Sequence, residues 1–268
     1  MQPLIEAIRK RNAVLFVGAG VSMSVGAPSW SQLISHVATL VDYDPEIYRG
    51  LGDHLTLAEY YHLIAGNLGK LRSWMDVEWH SEARRCAISK SELHRLLVTL
   101  PFPLVYTTNY DRYLEWACEN HKVPYEKITN VGDLVHPNTG KMQIVKYHGD
   151  FEDDASLVLT ESSYFERMAF EGPLDIKLRA DILGKTILFV GYSLADINVR
   201  YLLYRLHKLW KESAHADIRP NSYVFLTRPN PVQEQVLKSR DIVPIVSDSD
   251  DPTTGVKNFL EYIHSQLR

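Results

Sequence analysis

Short runs of apolar, β-branched residues recur along the chain, and longer segments with helical periodicity separate them. Each run is too short for a helix and lacks alternating polar residues, which is typical of a strand buried on both faces of a parallel sheet. Strands that alternate with helices indicate an open α/β sheet. We therefore expect a Rossmann-like, open and mostly parallel sheet flanked by helices. The predicted strands cover residues 13–17, 104–107, 143–147, 186–190, 223–226 and 242–246.

Five longer segments carry the apolar spacing of helices that pack on such a sheet. The segment after Asp196 has the firmest pattern, because five of its apolar residues fall on one helical face. These residues are Val199, Leu202, Leu203, Leu206 and Leu209. The predicted helices cover residues 4–11, 31–41, 111–120, 196–210 and 256–267.

Two further stretches interrupt this alternation. Residues from about 43–99 and 151–184 show helical patterns without a convincing strand. The apolar positions of the first stretch are Leu55, Leu57, Tyr60, Leu63, Ile64, Leu93, Leu96 and Leu97. Both stretches follow strand ends, where α/β proteins place insertions and binding loops. We predict that they form a smaller helical subdomain within a single domain spanning residues 1–268.

Composition excludes several classes of protein. The formal net charge is −4, and no run of Lys or Arg occurs, so direct binding of nucleic acid through a basic surface is not expected. No apolar segment approaches the ~20 residues that span a bilayer, and the N-terminal residues lack a signal-peptide pattern. We therefore expect a cytoplasmic protein without membrane contact. The two cysteines, Cys86 and Cys118, exclude a disulfide framework and a four-cysteine zinc site.

The first predicted strand ends in a glycine-containing turn, Gly18-Ala19-Gly20-Val21-Ser22. Glycines between a strand and a helix let the backbone approach a phosphate group and direct helix N–H groups toward it. The turn is not the usual dinucleotide fingerprint, since Met23 stands where that fingerprint has its third glycine. The alternative is a tight turn with no ligand.

Polar residues also follow the second predicted strand, at Thr108, Asn109 and Asp111. Asn109 offers an amide donor and a carbonyl acceptor, and Asp111 could accept a hydrogen bond from a ligand amide. Asp111 could equally cap the helix that follows.

Two more turns complete the pattern. His148-Gly149 follows a strand, and histidine can accept a proton near neutral pH, while the glycine permits close approach of a ligand. Gly191 and Ser193 follow the next strand and could contact a second part of a nucleotide, or Ser193 or Asp196 could only cap a helix. All four turns lie at carboxyl ends of strands in one predicted sheet, which predicts one shared site.

The four turns in this order resemble the motifs of the sirtuin superfamily, from about residue 4 to about residue 200. Their form is similar to a zinc-less bacterial branch that is implicated in antiphage defence. The segment 26–31 departs from the Gly-Ile-Pro-Asp-Phe-Arg of deacylase sirtuins, and two cysteines cannot supply their zinc ribbon. A mixed site of His80, Cys86 and His94 is the remaining way to bind zinc. The resemblance therefore implies an NAD site with no metal.

By the same resemblance, the chain is an NAD hydrolase that releases nicotinamide and ADP-ribose. Asn109 and His148 would be catalytic, with Asn109 orienting ribose hydroxyls or water and His148 acting as the base. The NAD-binding residues would be Gly18, Ala19, Gly20, Ser22, Thr108, Asp111, Gly191 and Ser193, with Asp111 holding the nicotinamide carboxamide.

The resemblance also implies that such an enzyme stays inactive until triggered, because unchecked hydrolysis would deplete cellular NAD. The chain ends shortly after its last predicted strand, so we expect a homo-oligomer, a separately encoded partner, or both. An ATPase, an Argonaute-like protein or another sensor would be such a partner. Two alternatives stay open: a non-catalytic module that senses NAD or ADP-ribose, and an NAD-dependent protein deacylase.

Overall fold

The computed structural model describes residues 1–135, 140–153, 156–169, 171–192 and 196–268. Within these ranges seven strands form one sheet, in the order β3-β4-β2-β1-β5-β6-β7, and every neighbouring pair is parallel. The strands are β1 (Ala13–Val17), β2 (Leu104–Thr107), β3 (Tyr125–Ile128), β4 (Met142–Lys146), β5 (Thr186–Val190), β6 (Ser222–Leu226) and β7 (Ile242–Val246). The predicted open α/β sheet is confirmed.

The strand order places β1 in the middle of the sheet. One side of β1 holds β2, β4 and β3, counted outward, and the other side holds β5, β6 and β7, which come later in the chain. A crevice forms outside the carboxyl ends of the strands where such an order reverses, and ligands of open α/β sheets bind there. Every residue of β1, β2, β5 and β6 is buried, which explains why these strands are apolar except for Thr107, Thr186 and Ser222 at their ends.

Fourteen α-helices accompany the sheet in the described ranges. They are α1 (Gln2–Arg9), α2 (Ala19–Met23), α3 (Trp30–Leu40), α4 (Pro45–Arg49), α5 (His54–Ala65), α6 (Gly69–Trp79), α7 (Glu82–Lys90), α8 (Glu92–Thr99), α9 (Tyr113–His121), α10 (Glu161–Met168), α11 (Pro173–Leu183), α12 (Ile197–Lys211), α13 (Pro231–Lys238) and α14 (Pro252–Leu267). Within the same ranges, no helix combines the length and the apolar character needed to cross a bilayer.

Helices cover both faces of the sheet. Apolar residues of α1, α8, α9 and α14 share one core with the strands, and those of α11 and α12 share a second core with them. The predicted face of α12 is buried at four of its five positions, because those residues pack in the second core. The fifth, Leu209, is 53% exposed in the last turn of the helix, so its predicted burial is wrong.

A third core lies among the helices between β1 and β2. It unites α3, α5 and α6 with Tyr110, Phe151 and Leu159, which come from loops after the strands. Its α5 helix buries Leu57 together with Ala58 and Tyr61. Leu63 and Ile64 are 71% and 62% exposed, so the predicted stripe of this helix is only partly buried.

Candidate active site

A cavity of about 1000 Å³ opens at the carboxyl edge of the sheet, next to β1. Residues from all four predicted turns line it, namely Ala19, Gly20, Ser22, Thr108, Asn109, Asp111, His148 and Gly191. The parallel register explains this meeting, because Val17 at the end of β1 stands opposite Thr107 at the end of β2. Ser193, which was predicted to belong to the site, lies outside the described residues.

A chain of hydrogen bonds joins the turn after β1 to the loop after β2. The Asn109 Nδ2 group donates to Ser22 Oγ at 2.9 Å, and Ser22 Oγ donates to Asp111 Oδ2 at 2.6 Å. Since Ser22 gives its only proton to the carboxylate, it can only accept from Asn109. The direction of these hydrogen bonds fixes the orientation of the side-chain amide group of Asn109, and its Oδ1 atom stays available as an acceptor.

Asp111 uses its second carboxylate oxygen to hold the next helix. Asp111 Oδ1 accepts from the amide of Tyr113, the first residue of α9, at 3.1 Å. The N-cap residue of α9 is Arg112, so Asp111 is not the helix cap that was considered, although it holds the first amide of the helix while it binds Ser22. Lys146 Nζ donates to the carbonyl oxygen of the same Asp111, which fixes the backbone beneath the side chain.

The loop after β2 is also anchored from the helices that precede it. The amide of Arg112 donates to His80 Nε2 at 3.1 Å, and the hydroxyl of Tyr113 donates to the carbonyl of Trp79 at 2.8 Å. Both acceptors lie at the end of α6. The position of Asn109 thus depends on the third core as well as on the sheet.

His148 lies beside this loop and is only 1% exposed. Its Nδ1 atom is 3.6 Å from Asp196 Oδ2 and 3.5 Å from the hydroxyl of Tyr164. Burial lowers the pKa of His148 to about 4, against the opposing effect of the Asp196 carboxylate. The imidazole is therefore neutral near pH 7 and can accept a proton.

Gly149 serves the backbone and not the cavity. Its φ angle is +95°, and a Cβ atom there would lie 2.3 Å from the carbonyl oxygen of Ser156. Only glycine fits this position, because the left-handed region and the close contact both exclude a side chain. The expected approach of a ligand to this glycine is therefore wrong.

The glycine turns after β1 and β5 pack directly on each other. A Cβ atom on Gly18 would lie 2.5 Å from the carbonyl oxygen of Gly191, and one on Gly20 would lie 2.9 Å from it. The amide of Gly20 donates to that same oxygen at 2.9 Å. Close backbone packing therefore accounts for both glycines, while Ala19 and Gly20 still form the wall of the cavity.

Comparison with known protein families decides the membership of this chain. The model of the SIR2-like domain matches residues 103–245, which is more than half of the 268 residues. The chain belongs to the SIR2-like family. The match covers β2 to β7, and the predicted resemblance to the sirtuin superfamily is confirmed.

Several curated relatives of this SIR2-like chain carry functional names. The NAD(+) hydrolase ThsA of Bacillus cereus (strain MSX-D12) is 32% identical over 79% of the chain, and that of Enterococcus faecium is 36% identical over 78%. These regions cover 45% and 42% of the two relatives. Defense-associated sirtuin 2 of Bacillus subtilis is 25% identical over 88% of the chain and 23% of its own length. The chain therefore spans less than half of each of these relatives.

A solved structure supports the fold. A complex of a SIR2 homologue with NAD superposes with a TM-score of 0.53 and 13% identity, covering 100% of this chain and 95% of that one. At this identity the likeness establishes the SIR2-like architecture alone.

The mixed zinc site considered for this SIR2-like chain does not form. Both ring nitrogens of His80 are engaged, Nδ1 with Asp76 and Nε2 with the amide of Arg112. His94 Nδ1 pairs with Ser91 Oγ at 2.8 Å. Among the residues that the structure describes, no group of three potential ligands could hold a metal ion.

The SIR2-like cavity also contains residues that sequence reasoning did not assign to the site. They include Trp30, His54, Trp79, Tyr164, Tyr192, Asp196 and Arg228. Arg228 is the only Lys or Arg among the described residues that line the cavity. Arg228 follows β6 at the carboxyl edge of the sheet. The expectation that polar residues after strand ends line the site would therefore also have predicted Arg228. Tyr192 follows β5 and carries the same signal, whereas Trp30, Trp79 and Tyr164 lie in helices and carry none.

Proposed function

We propose that this chain is an NAD hydrolase that releases nicotinamide and ADP-ribose and acts as an effector in prokaryotic antiphage defence. The observation that carries this proposal is one cavity that holds Asn109, Asp111 and a buried, neutral His148. Relatives that are named NAD(+) hydrolase share 32% and 36% of the aligned residues and support the reaction.

We infer the direction of the bound dinucleotide from the strand order. Asn109 and His148 follow β2 and β4 on one side of β1, whereas Arg228 and Asn230 line the cavity after β6 on the other side. The nicotinamide half would therefore lie toward β2 and the adenosine half toward β6. The pyrophosphate would cross the cavity near Ala19, where Arg228 would offset its negative charge.

Each polar group then has a chemical role in the proposed reaction. The bond from ribose to nicotinamide breaks, the leaving nicotinamide keeps the electron pair, and positive charge develops on the sugar. The free Oδ1 of Asn109 would hold a ribose hydroxyl or the attacking water, and Asp111 would receive the carboxamide. Neutral His148 would take the proton as the new bond to oxygen forms at the sugar.

The central test is whether the pure chain releases nicotinamide. The chain is incubated with NAD, alone and with candidate partners, and the products are separated by chromatography. Nicotinamide and ADP-ribose should appear in equal amounts. Calorimetry on the same preparation measures NAD binding, which distinguishes a chain that hydrolyses NAD from one that only binds it. Tight binding with no release under every activating condition would show that the chain is a sensing module and not a hydrolase.

The pH dependence of hydrolysis should report the low pKa of His148. We expect kcat/KM to stay level from pH 8 to about 5.5 and to fall as the pH approaches 4, because the base becomes protonated. Nicotinamide release measured across this range is the test. A midpoint near the unperturbed histidine value of about 6.5 would contradict the role of a buried base.

Folding must be followed in the same titration. Burial lowers the pKa values of both His94 and His148 to about 4, so the unfolded chain binds more protons between about pH 6.5 and 4. These two histidines therefore make the folded state less stable as the pH falls through that window. Circular dichroism at each pH distinguishes loss of the base from loss of the fold.

We propose that the enzyme is cytoplasmic, and that a homo-oligomer or a separately encoded partner keeps it silent until it is triggered. The matched regions make up 45% and 42% of the ThsA relatives, so those proteins carry further chain beyond this domain. Control of the domain from outside its own sequence is therefore consistent with their length. An ATPase, an Argonaute-like protein or another sensor would serve as such a partner.

A further inference from the structure

We propose that Asp196 is a positioning residue that keeps the proton of His148 on Nδ1, so that Nε2 is the nitrogen that accepts a proton. The inference rests on the proposed hydrolysis and adds a residue that neither the motifs nor the comparisons assign. It is based on the different positions of the two Asp196 carboxylate oxygens, one at the start of α12 and the other beside His148.

One oxygen of this carboxylate caps the helix α12. Asp196 Oδ1 accepts from the amides of Asn198 and Val199 at 2.9 and 3.1 Å. These two bonds satisfy free N–H groups at the start of the helix and hold the carboxylate in a fixed orientation. A cap needs only one oxygen, so the capping role leaves the second oxygen unexplained.

The second oxygen faces the imidazole. Asp196 Oδ2 lies 3.6 Å from His148 Nδ1, and the two side chains are 12% and 1% exposed. His148 Nε2 is buried and has no hydrogen-bond partner among the described residues. The separation exceeds a hydrogen bond, and catalytic hydrogen bonds of this kind are often long before the substrate binds. A carboxylate accepts only, so it favours the tautomer with the proton on Nδ1.

Other charged and titratable groups near the ring do not offer the same contact. From α10, Arg167 pairs with Asp175 at 3.1 Å, and the hydroxyl of Tyr147 also donates to Asp175 at 2.7 Å. The Oδ1 atom of Asp175 is thereby committed to these two partners, and its Oδ2 atom accepts from the amide of Gly172 at 3.0 Å. The hydroxyl of Tyr164, also from α10, is 3.5 Å from His148 Nδ1 and can donate or accept. Asp196 is therefore the carboxylate that can fix the tautomer.

Asp196→Asn separates the two roles of the side chain. Asparagine is as good a cap as aspartate, and its carbonyl oxygen must take the place of Oδ1 to accept the two amides. The NH₂ group then faces His148 Nδ1 and donates to it, which moves the ring proton to Nε2 and removes the base. We expect kcat to fall by about 100-fold with little change in KM or in the unfolding midpoint.

The decisive measurement is the tautomer of His148 in the full chain without NAD. Long-range ¹H–¹⁵N spectra at pH 7, assigned with a His148→Gln variant, should show the proton on Nδ1 in the wild type and on Nε2 in Asp196→Asn. Asp44→Asn is the matched control, because Asp44 Oδ1 caps α4 through the amides of Glu46 and Ile47 at 2.8 and 3.1 Å. This control should change neither the tautomer nor kcat.

Three outcomes would overturn the proposal. The first is a proton on Nε2 of His148 in the wild type. The second is an unchanged tautomer and an unchanged kcat in Asp196→Asn. The third is a proton that moves to Nε2 in Tyr164→Phe but not in Asp196→Asn. The spectra do not depend on turnover. If the wild type has the proton on Nδ1 but releases no nicotinamide, the positioning role stands and the proposed hydrolysis fails.

Discussion

Asn109→Ala should lower the rate of nicotinamide release at least about 1000-fold. The variant removes the acceptor oxygen that the Ser22–Asp111 chain holds in place. The chain should still fold, since Ser22 keeps its 2.6 Å hydrogen bond to Asp111 and the Asn109 side chain lies at a cavity wall. Nicotinamide release at saturating NAD, compared with thermal unfolding, separates the two effects.

The matched control for this variant is Asn67→Ala. Asn67 is exposed and accepts from the amide of Gly69 at 2.9 Å, and it is not among the residues that line the cavity. It should retain the wild-type rate. If Asn109→Ala keeps more than a tenth of the activity, Asn109 does not orient the reacting groups.

The buried strands could be predicted because of where they lie in the sheet. Helices cover both faces of β1 and β5, so β1 is an unbroken apolar run and β5 is one after its first residue, Thr186. β3 was missed for the opposite reason. It is an edge strand whose Glu126 and Lys127 are only half-buried, so its sequence carries no apolar run.

The place of the cavity that the four turns line could also be predicted, since carboxyl ends of parallel strands meet at one edge of the sheet. Its atomic arrangement could not. The bond from Asn109 to Ser22 depends on the register that sets β2 beside β1, and a sequence without pairing information does not fix that register. The position of Asp196 Oδ2 beside His148 could not be predicted either. An aspartate before a helix is explained by its capping role, so the sequence gives no reason to expect a second role for its carboxylate.

Lys146 is the clearest residue whose importance the sequence does not reveal. It follows the pattern of a polar residue at the end of a strand, yet it is only 1% exposed. Its Nζ atom lies 3.3 Å from Glu115 Oε1 and 3.8 Å from Asp150 Oδ2. Burial raises the pKa of Glu115, and the Lys146 ammonium opposes that shift. The three groups therefore form a buried ion cluster directly beneath Asp111.

Lys146→Met should lower the free energy of unfolding by about 3–5 kcal/mol, because it leaves the buried Glu115 carboxylate without its cation and leaves Asp150 with Lys127 alone, at 3.4 Å. Urea unfolding at pH 7 is the measurement. Lys257→Met is the matched control, since its ion pair with Glu261 at 3.9 Å is 39% and 45% exposed and is worth at most about 1 kcal/mol. A loss in Lys146→Met no larger than in this control would show that the cluster does not stabilise the fold.

The cause of that loss can be tested with a second substitution and with pH. Adding Glu115→Leu to Lys146→Met removes the carboxylate that lost its cation and should recover part of the stability. In Lys146→Met alone, the pKa of Glu115 rises further above its unfolded value, so the folded state holds a proton that the unfolded state releases. The destabilisation should therefore grow as the pH rises from about 5 to 8. Because Lys146 also donates to the carbonyl of Asp111, the same variant should loosen the loop that carries Asn109.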